Sequence, residues 1–388
     1  MKYRSAEGKK RRRRESCHKH QENTMISFTP NDEQQLIIET VRRYANERMR
    51  PVAHDADESG TTPATVIETG WELGLLPSAL PEQFGGFGDT HSALTGALAA
   101  EELGYGDLAI GLYLLTPNLF GIPILHSGTE EQKKQWLPKL TDATFVPATA
   151  ALIEPRWDFD PRALHTSAER EQGYYVLNGH KAYVPLAAES NVMLVYAREG
   201  GATQAFLVEK SIRGVTILER EQNMGIRALP TYEVKLEDVR VPRDMRLGGD
   251  AGCNAELLLN YSRVGLAALA VGVARGAYEY ARDYAKQREA FGRPIAQYQA
   301  IAFMLAEMAI EIDAARLMAW EAAWTLDQGK DGTRSAALAK QYADEAVLFV
   351  TDRAVQVLGG HGYIREHPVE RWLRNGRGFT AFLGLAMI

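Results

Sequence analysis

The sequence predicts a multidomain α+β protein: a helical N-terminal domain, an antiparallel β-sheet or barrel in the middle, and a bundle of long helices at the end. Three observations carry this reading. Apolar residues recur at helical spacing up to about residue 142, the pattern turns to that of strands between roughly 146 and 248, and long helical stripes return after 250. The expected divisions are 1–24, 25–145, 146–248 and 249–388.

Residues 1–24 carry nine Lys or Arg against three Asp or Glu and no apolar period, as in "KKRRRRESCHKHQ", so a disordered basic leader is expected there. It reads as a nuclear or nucleic-acid address, a transit peptide, or an added leader ahead of a native start at Met25. The chain's net charge of −6 leaves about −12 on the remainder, and no nucleic-acid partner is expected for so acidic a body. In "TPNDEQQLIIETVRRYANERMRP", Thr29 can cap, Pro30 suits the first helical position, and Pro51 stops a helix whose apolar side is Leu36, Ile37, Val41 and Tyr44. "LPEQFGGFGD", Leu80 to Asp89, is a turn between further helices.

The middle region opens on "YYVLNGHKAYV", where Asn178-Gly179 between two β-rich runs is a hairpin signal. "QAFLVEK", "GVTILER" and "YEVKLEDVRVP" supply more strands with little helix between them, which favours antiparallel pairing. Beyond residue 250, Ile301, Leu305, Met308, Ile312, Ala315 and Ala319 draw one stripe along a helix of about thirty residues. The other faces still carry Phe303, Met304, Leu317, Trp320 and Trp324, more apolar surface than one seam needs, so a subunit interface is expected.

Several function classes drop out on composition. With 45% hydrophobic and 24% charged residues the chain is globular, and its longest uncharged apolar run, Val264 to Ala274, falls short of the roughly 18 to 20 residues of a membrane span. Its two cysteines, Cys17 and Cys253, lie far apart with no His cluster at ligand spacing, so neither a disulfide framework nor a metal site is expected. A reducing compartment fits: the cytoplasm, or the mitochondrial matrix in a eukaryote. "VLGGHGY", Val357 to Tyr363, is either a phosphate cradle or a helix C-cap turn. The break at Phe291-Gly292 with a restart at Pro294 is either an αα-hairpin or an anion or cofactor site beside Arg288 and Arg293.

Three segments in this order resemble the acyl-CoA dehydrogenase family over essentially the whole chain from Met25. "LPEQFGGFGD" is similar to its P-E-x-x-G-G-x-G turn, "REAFGRPIAQYQAIAFMLAEM" to its R-x-x-F-G-x-x-I-x-x-x-Q segment, and "QVLGGHGYIREHPVERWLRN" to its C-terminal signature. The resemblance implies a helical domain, a middle β-barrel and a C-terminal four-helix bundle, assembled as dimers or tetramers around FAD. It also implies the activity: a carboxylate removes the α-proton of an acyl-CoA thioester, hydride leaves the β-carbon for the flavin, and electrons pass to an electron-transfer flavoprotein.

The same resemblance exposes departures. Where relatives carry an aromatic residue and then the base Glu, this chain has Phe382 and Leu383; where other members place their Glu on the first bundle helix before an Arg, it has Ser262 followed by Arg263. An unassisted hydroxyl is a poor base near neutral pH. The last residues therefore read as the substrate-facing segment without its acid, and the chain is expected to stop where relatives continue into another helix. In the loop like T-E-P-x-A-G-S-D, Glu154 and Pro155 are kept while Ile153, Asp158 and Phe159 replace Thr, Gly and Ser, and the W-x-T element becomes Tyr183-Val184-Pro185. Asp158, Asp160 and Glu189 are the candidates for a relocated base. Arg288, Phe291, Gln299, Gln356, Gly359 and Gly360 match positions that hold the adenosine diphosphate half of FAD, mainly for a neighbouring subunit, and Arg263 matches a substrate contact. The expected functions are an acyl-CoA dehydrogenase with impaired or partner-dependent catalysis, a non-catalytic subunit completing a homologous partner's FAD site, or other flavin chemistry such as an oxidase or monooxygenase.

Overall fold

The structure is a computed structural model that describes residues 28–88, 90–378, 380 and 382–388. The basic leader, Cys17 and Asp89 lie outside the described residues. From the N-terminus run α1 (Asp32–Tyr44), α2 (Arg50–Ser59), α3 (Ala64–Trp71), α4 (Leu75–Ala79), α5 (Ala93–Gly106), α6 (Leu108–Leu115), α7 (Asn118–Ser127) and α8 (Glu130–Trp136). Then follow strands β1 (Thr149–Ala151), β2 (Ser167–Arg170), β3 (Tyr174–Pro185), β4 (Val192–Glu199), β5 (Ala202–Glu209), β6 (Val215–Arg220) and β7 (Thr231–Pro242). Helix α9 (Ala255–Gln287), the short ribbon β8 (Glu289–Ala290) and β9 (Arg293–Pro294), α10 (Gln299–Asp327), α11 (Thr333–Leu358), α12 (Gly360–Tyr363) and α13 (Val369–Gly376) complete the chain.

The first helix differs from expectation at both ends. Asn31, not Thr29, caps it, its side chain accepting from the Gln34 N–H while Gln34 reaches back in a capping box. Pro51 does not stop it, because a π turn at Ala45–Met49 places that proline at the start of α2, where its missing N–H costs nothing. Ile38, Val41 and Tyr44 are buried, whereas Leu36 faces outward.

The strands form a curled seven-stranded sheet in the order β1-β4-β2-β3-β7-β6, with β5 on β4. Pairing is antiparallel except where β4 meets β1 and touches β2. Asn178-Gly179 is not a hairpin turn. It is a bulge inside the continuous strand β3, because β7 runs past it on both sides and Asn178 exchanges hydrogen bonds with Asp238 across the ladder. The inward faces of the sheet bury Tyr175, Leu177, Val195, Phe206, Val234 and Val239 in a core of its own.

Helix α9 is the axis of the helical part. It is long and apolar enough to cross a membrane, but 94% of its most apolar stretch is buried in protein. It packs against α5, α10 and α11, and α13 takes the fourth bundle position against α9 and α11. The α10 stripe predicted from the sequence is the buried one, from Leu305 to Ala319, while Phe303, Ile310 and Leu317 remain exposed.

Two features lock α5 to α9. Arg275 bridges Glu101 at 2.8 Å and Glu102 at 2.6 Å, while Arg42 and Arg316 reach the same two carboxylates from α1 and α10. Beside this network the backbones nearly touch: a Cβ on Gly104 would lie 2.3 Å from the Leu269 carbonyl oxygen, and one on Gly272 2.0 Å from that of Glu101. Gly272→Val should therefore force the helices apart and lower stability by about 1–3 kcal/mol or more, read as a drop in thermal midpoint; an unchanged midpoint would contradict this packing.

Candidate functional site

Ser262 lies two turns into α9 and is 1% exposed. Its Oγ accepts a hydrogen bond from the Gly384 N–H at 2.8 Å, across 122 residues of sequence. The two positions at which the resemblance looks for a base, 262 and 383, are thus brought side by side, and neither carries a carboxylate. Leu383 is half-buried and packs on the main core. The segment after it, Leu385, Ala386, Met387 and Ile388, is almost wholly buried, which accounts for so apolar a stretch at the end of the sequence.

This segment lies in a channel walled by Leu119 of α7, Ala150 and Leu152 beside β1, Tyr196 of β4, Thr203 of β5, and Leu258 and Leu259 of α9. The space left is about 10 Å³, at the limit for one water. Gly384 adopts φ +75°, and a Cβ there would lie 2.8 Å from Leu152, so glycine is required for the chain to turn into the channel. Phe382, just outside, stacks on Tyr183 with ring centres 4.9 Å apart.

Tyr183 has φ +52° and gives its N–H to Glu221 Oε1 at 3.1 Å. Pro185, buried in the β3–β7 ladder, has no N–H to give. The loop entering the sheet is held by Glu154, which accepts from the His165 N–H at 2.8 Å, the Thr166 N–H at 2.7 Å and Lys181 Nζ at 3.2 Å. Burial pushes the Glu154 carboxyl up, but Lys181 and the two N–H donors outweigh it and hold the group at about 2. Burial lowers fully enclosed Lys181 to about 8 against the pull of Glu154. Ile153 is buried in the main core, and Phe159 packs against it.

The three candidates for a relocated base are already engaged. Asp158 pairs with Arg156 at 3.1 Å, Asp160 accepts the Arg162 N–H at 2.9 Å, and Glu189 accepts from the Tyr232 hydroxyl at 2.9 Å. Arg263, the residue after Ser262, is buried and donates to Glu256 and Asn260, both at 2.6 Å. Glu256 in turn holds Arg162.

The six cofactor-matching residues sit apart from the channel, at the far end of the bundle, and all are exposed. Arg288 caps α9, Phe291 stands 97% exposed at the tip of the β8–β9 ribbon, and Gln299 opens α10. Gln356 lines a groove with Ala300, Phe303, Met304 and Arg353. Gly359, with φ +58°, ends α11, and nothing lies within 4 Å of a Cβ built on it or on Gly360. Backbone so open beside Gln356 and Arg353 suits the phosphates of a dinucleotide. Asn118 and His91 contribute to the channel without any motif; Asn118 meets Met387 across 269 residues, a contact no local pattern encodes.

Helical domain, curled sheet and helical bundle in this order define the acyl-CoA dehydrogenase class of fold. The profiles of the acyl-CoA dehydrogenase N-terminal, middle and C-terminal domains match residues 31–144, 149–239 and 254–386. The chain is 36% identical to the short-chain specific acyl-CoA dehydrogenase of Bos taurus mitochondria, covering 88% of this chain and 84% of that protein. It is 34% identical to the caffeyl-CoA reductase-Etf complex subunit CarC of Acetobacterium woodii, over 92% and 96%. The butyryl-CoA dehydrogenase structure from Megasphaera elsdenii superimposes with a TM-score of 0.84 at 32% identity, over 93% of this chain and 96% of that one. The chain belongs to the acyl-CoA dehydrogenase family, whose cofactor is FAD.

The Glu154 site predicts an acid limit. Its carboxyl sits below its unfolded value of 4.5, so its contribution is complete above pH 4.5 and is lost as pH falls towards 2. About 3 kcal/mol should disappear across that window. Glu154→Gln should flatten the slope of stability against pH there, and an unaltered slope would contradict the assignment.

Proposed function

We propose that this chain is an FAD-dependent flavoprotein of the acyl-CoA dehydrogenase type whose own α,β-dehydrogenation of an acyl-CoA thioester is impaired or depends on a partner. The observation that carries the reading is the contact between Ser262 and Gly384: both base positions meet at one place, and both lack a carboxylate. Bound flavin would accept hydride, but the α-proton has no acceptor on this chain's own residues at that place. General base catalysis contributes about 10² to 10⁴ in rate, and that is the deficit expected. Likeness to an Etf-complex subunit supports an electron-transfer flavoprotein as the electron acceptor.

A second reading, favoured by the exposure of Arg288, Phe291, Gln299, Gln356, Gly359 and Gly360, makes the chain a subunit of a dimer or tetramer that completes a homologous catalytic partner's FAD site. The apolar, exposed Phe291, Phe303, Ile310 and Leu317 support a subunit interface on that side. In this reading Arg263 serves substrate binding only after exchanging Glu256 for the ligand.

Ser262→Glu, which places a carboxylate at the base position on helix α9, tests the first reading. Exchange of the butyryl-CoA α-protons with solvent deuterium should be near background in the wild type and rise about 10²-fold or more in the variant. Fast exchange in the wild type would overturn it. For the second reading, co-expression with homologous chains should yield a mixed oligomer in which Gln356→Ala lowers FAD content; an exclusively homo-oligomeric, fully flavinated product would contradict it.

A further inference from the structure

We propose that Leu383–Ile388 is a displaceable occupant of the channel beside Ser262, and that Ser262 and Asn118 are amide-recognising groups that an extended acyl-pantetheine thioester takes over when it evicts the segment. The inference rests on the acyl-CoA reading above and adds a competition to it.

The channel wall is apolar apart from a few groups, and those groups bind the segment through its backbone. Ser262 Oγ accepts from the Gly384 N–H at 2.8 Å, Asn118 Nδ2 donates to the Met387 carbonyl at 3.1 Å, and the His91 ring lies beside the Ile388 main chain. A polar group buried in such a wall costs free energy unless it is paired, so the wall demands an occupant with an apolar body and amide groups in line. A peptide meets that demand, and so does a pantetheine arm, which carries two amides ahead of its thioester.

Side chains fill the rest. Ile388 sits in a niche made by two glycines on facing helices: a Cβ on Gly96 of α5 would lie 2.8 Å from it, and one on Gly265 of α9 3.2 Å. Gly265 is one turn beyond Ser262, so the niche and the amide-binding hydroxyl share one face of α9. With the segment in place only about 10 Å³ remains, so no acyl chain enters beside it. Occupation by ligand and by segment is mutually exclusive. The segment joins the fold through Gly384 at φ +75° and Gly378 at φ +90°, and it makes no strand or helix that its departure would break.

The test uses the full chain and two variants that unseat the segment by different means. Ile388→Asp places a charge in the glycine niche, and Gly384→Ala puts a Cβ against Leu152 in a backbone conformation alanine resists. Butyryl-CoA affinity is measured by calorimetry, uptake of the neutral dye Nile red by fluorescence, folding by circular dichroism, and release of the segment by deuterium exchange at the amide of residue 384. Both folded variants should exchange the amide of residue 384 faster, bind butyryl-CoA at least tenfold more tightly than the wild type, and take up more dye. Saturating butyryl-CoA should also speed Gly384 exchange in the wild type. Dye uptake that rises in the variants without butyryl-CoA binding would uphold the occupied channel and sink the acyl-CoA reading. Equal affinity and equal dye uptake in all three chains, or variants whose released segment admits neither probe, would overturn the proposal.

Discussion

Helix α9 has to be covered on every side, and most of the architecture follows from meeting that demand. Its residues from Leu258 to Ala274 are buried without a break, so no face is left to water and each neighbour is placed by the sector it covers. Helix α5 approaches close enough that only glycine fits at 104 and 272, and the Arg275 network satisfies the charges this approach buries. Helices α10 and α11 cover two further sectors. The sector containing Ser262 and Gly265 is covered by the last residues of the chain.

That last cover ties the fold to its chemistry. The site combines a sheet edge, a helix face and an apolar segment, and its polar groups are spent on backbone amides. Charge lies nearby but is neutralised in place: Arg263 by Glu256, Arg156 by Asp158 and Glu154, Lys181 by Glu154. A carboxylate free to take a proton would have to lie next to the channel and be held by no cation. Glu221, whose Oε2 has no hydrogen-bond partner, comes nearest in character, yet its other oxygen is fixed by the Tyr183 N–H and it lines a separate groove with Arg220 and Arg227. The surface expected to hold the nucleotide half of FAD lies at the opposite end of the bundle and is open, so the two halves of the cofactor site differ sharply in how fully this chain occupies them.

How much of this was legible in the sequence depended on range. The α10 stripe was readable because helical periodicity is local and the buried face keeps it from Leu305 to Ala319. The order of helices, strands and helices was readable for the same reason. Local rules failed where a distant partner decided the outcome: Asn178-Gly179 has hairpin chemistry, but β7 pairs on both sides of it and keeps the strand whole. Pro51 looked like a stop, yet a π turn absorbs it. At the site, resemblance to the family located positions 262 and 383 separately, while their contact and the parts played by Asn118 and His91 required the folded chain.

On the function proposed above, this chain holds the family's fold without a working base in an open channel. The visible absorbance of the FAD-loaded protein during anaerobic titration with butyryl-CoA decides the point. The oxidised flavin spectrum should persist through several equivalents of thioester. Bleaching at one equivalent, on the timescale of mixing, would contradict it, because it would require both a proton acceptor and a channel already open to substrate.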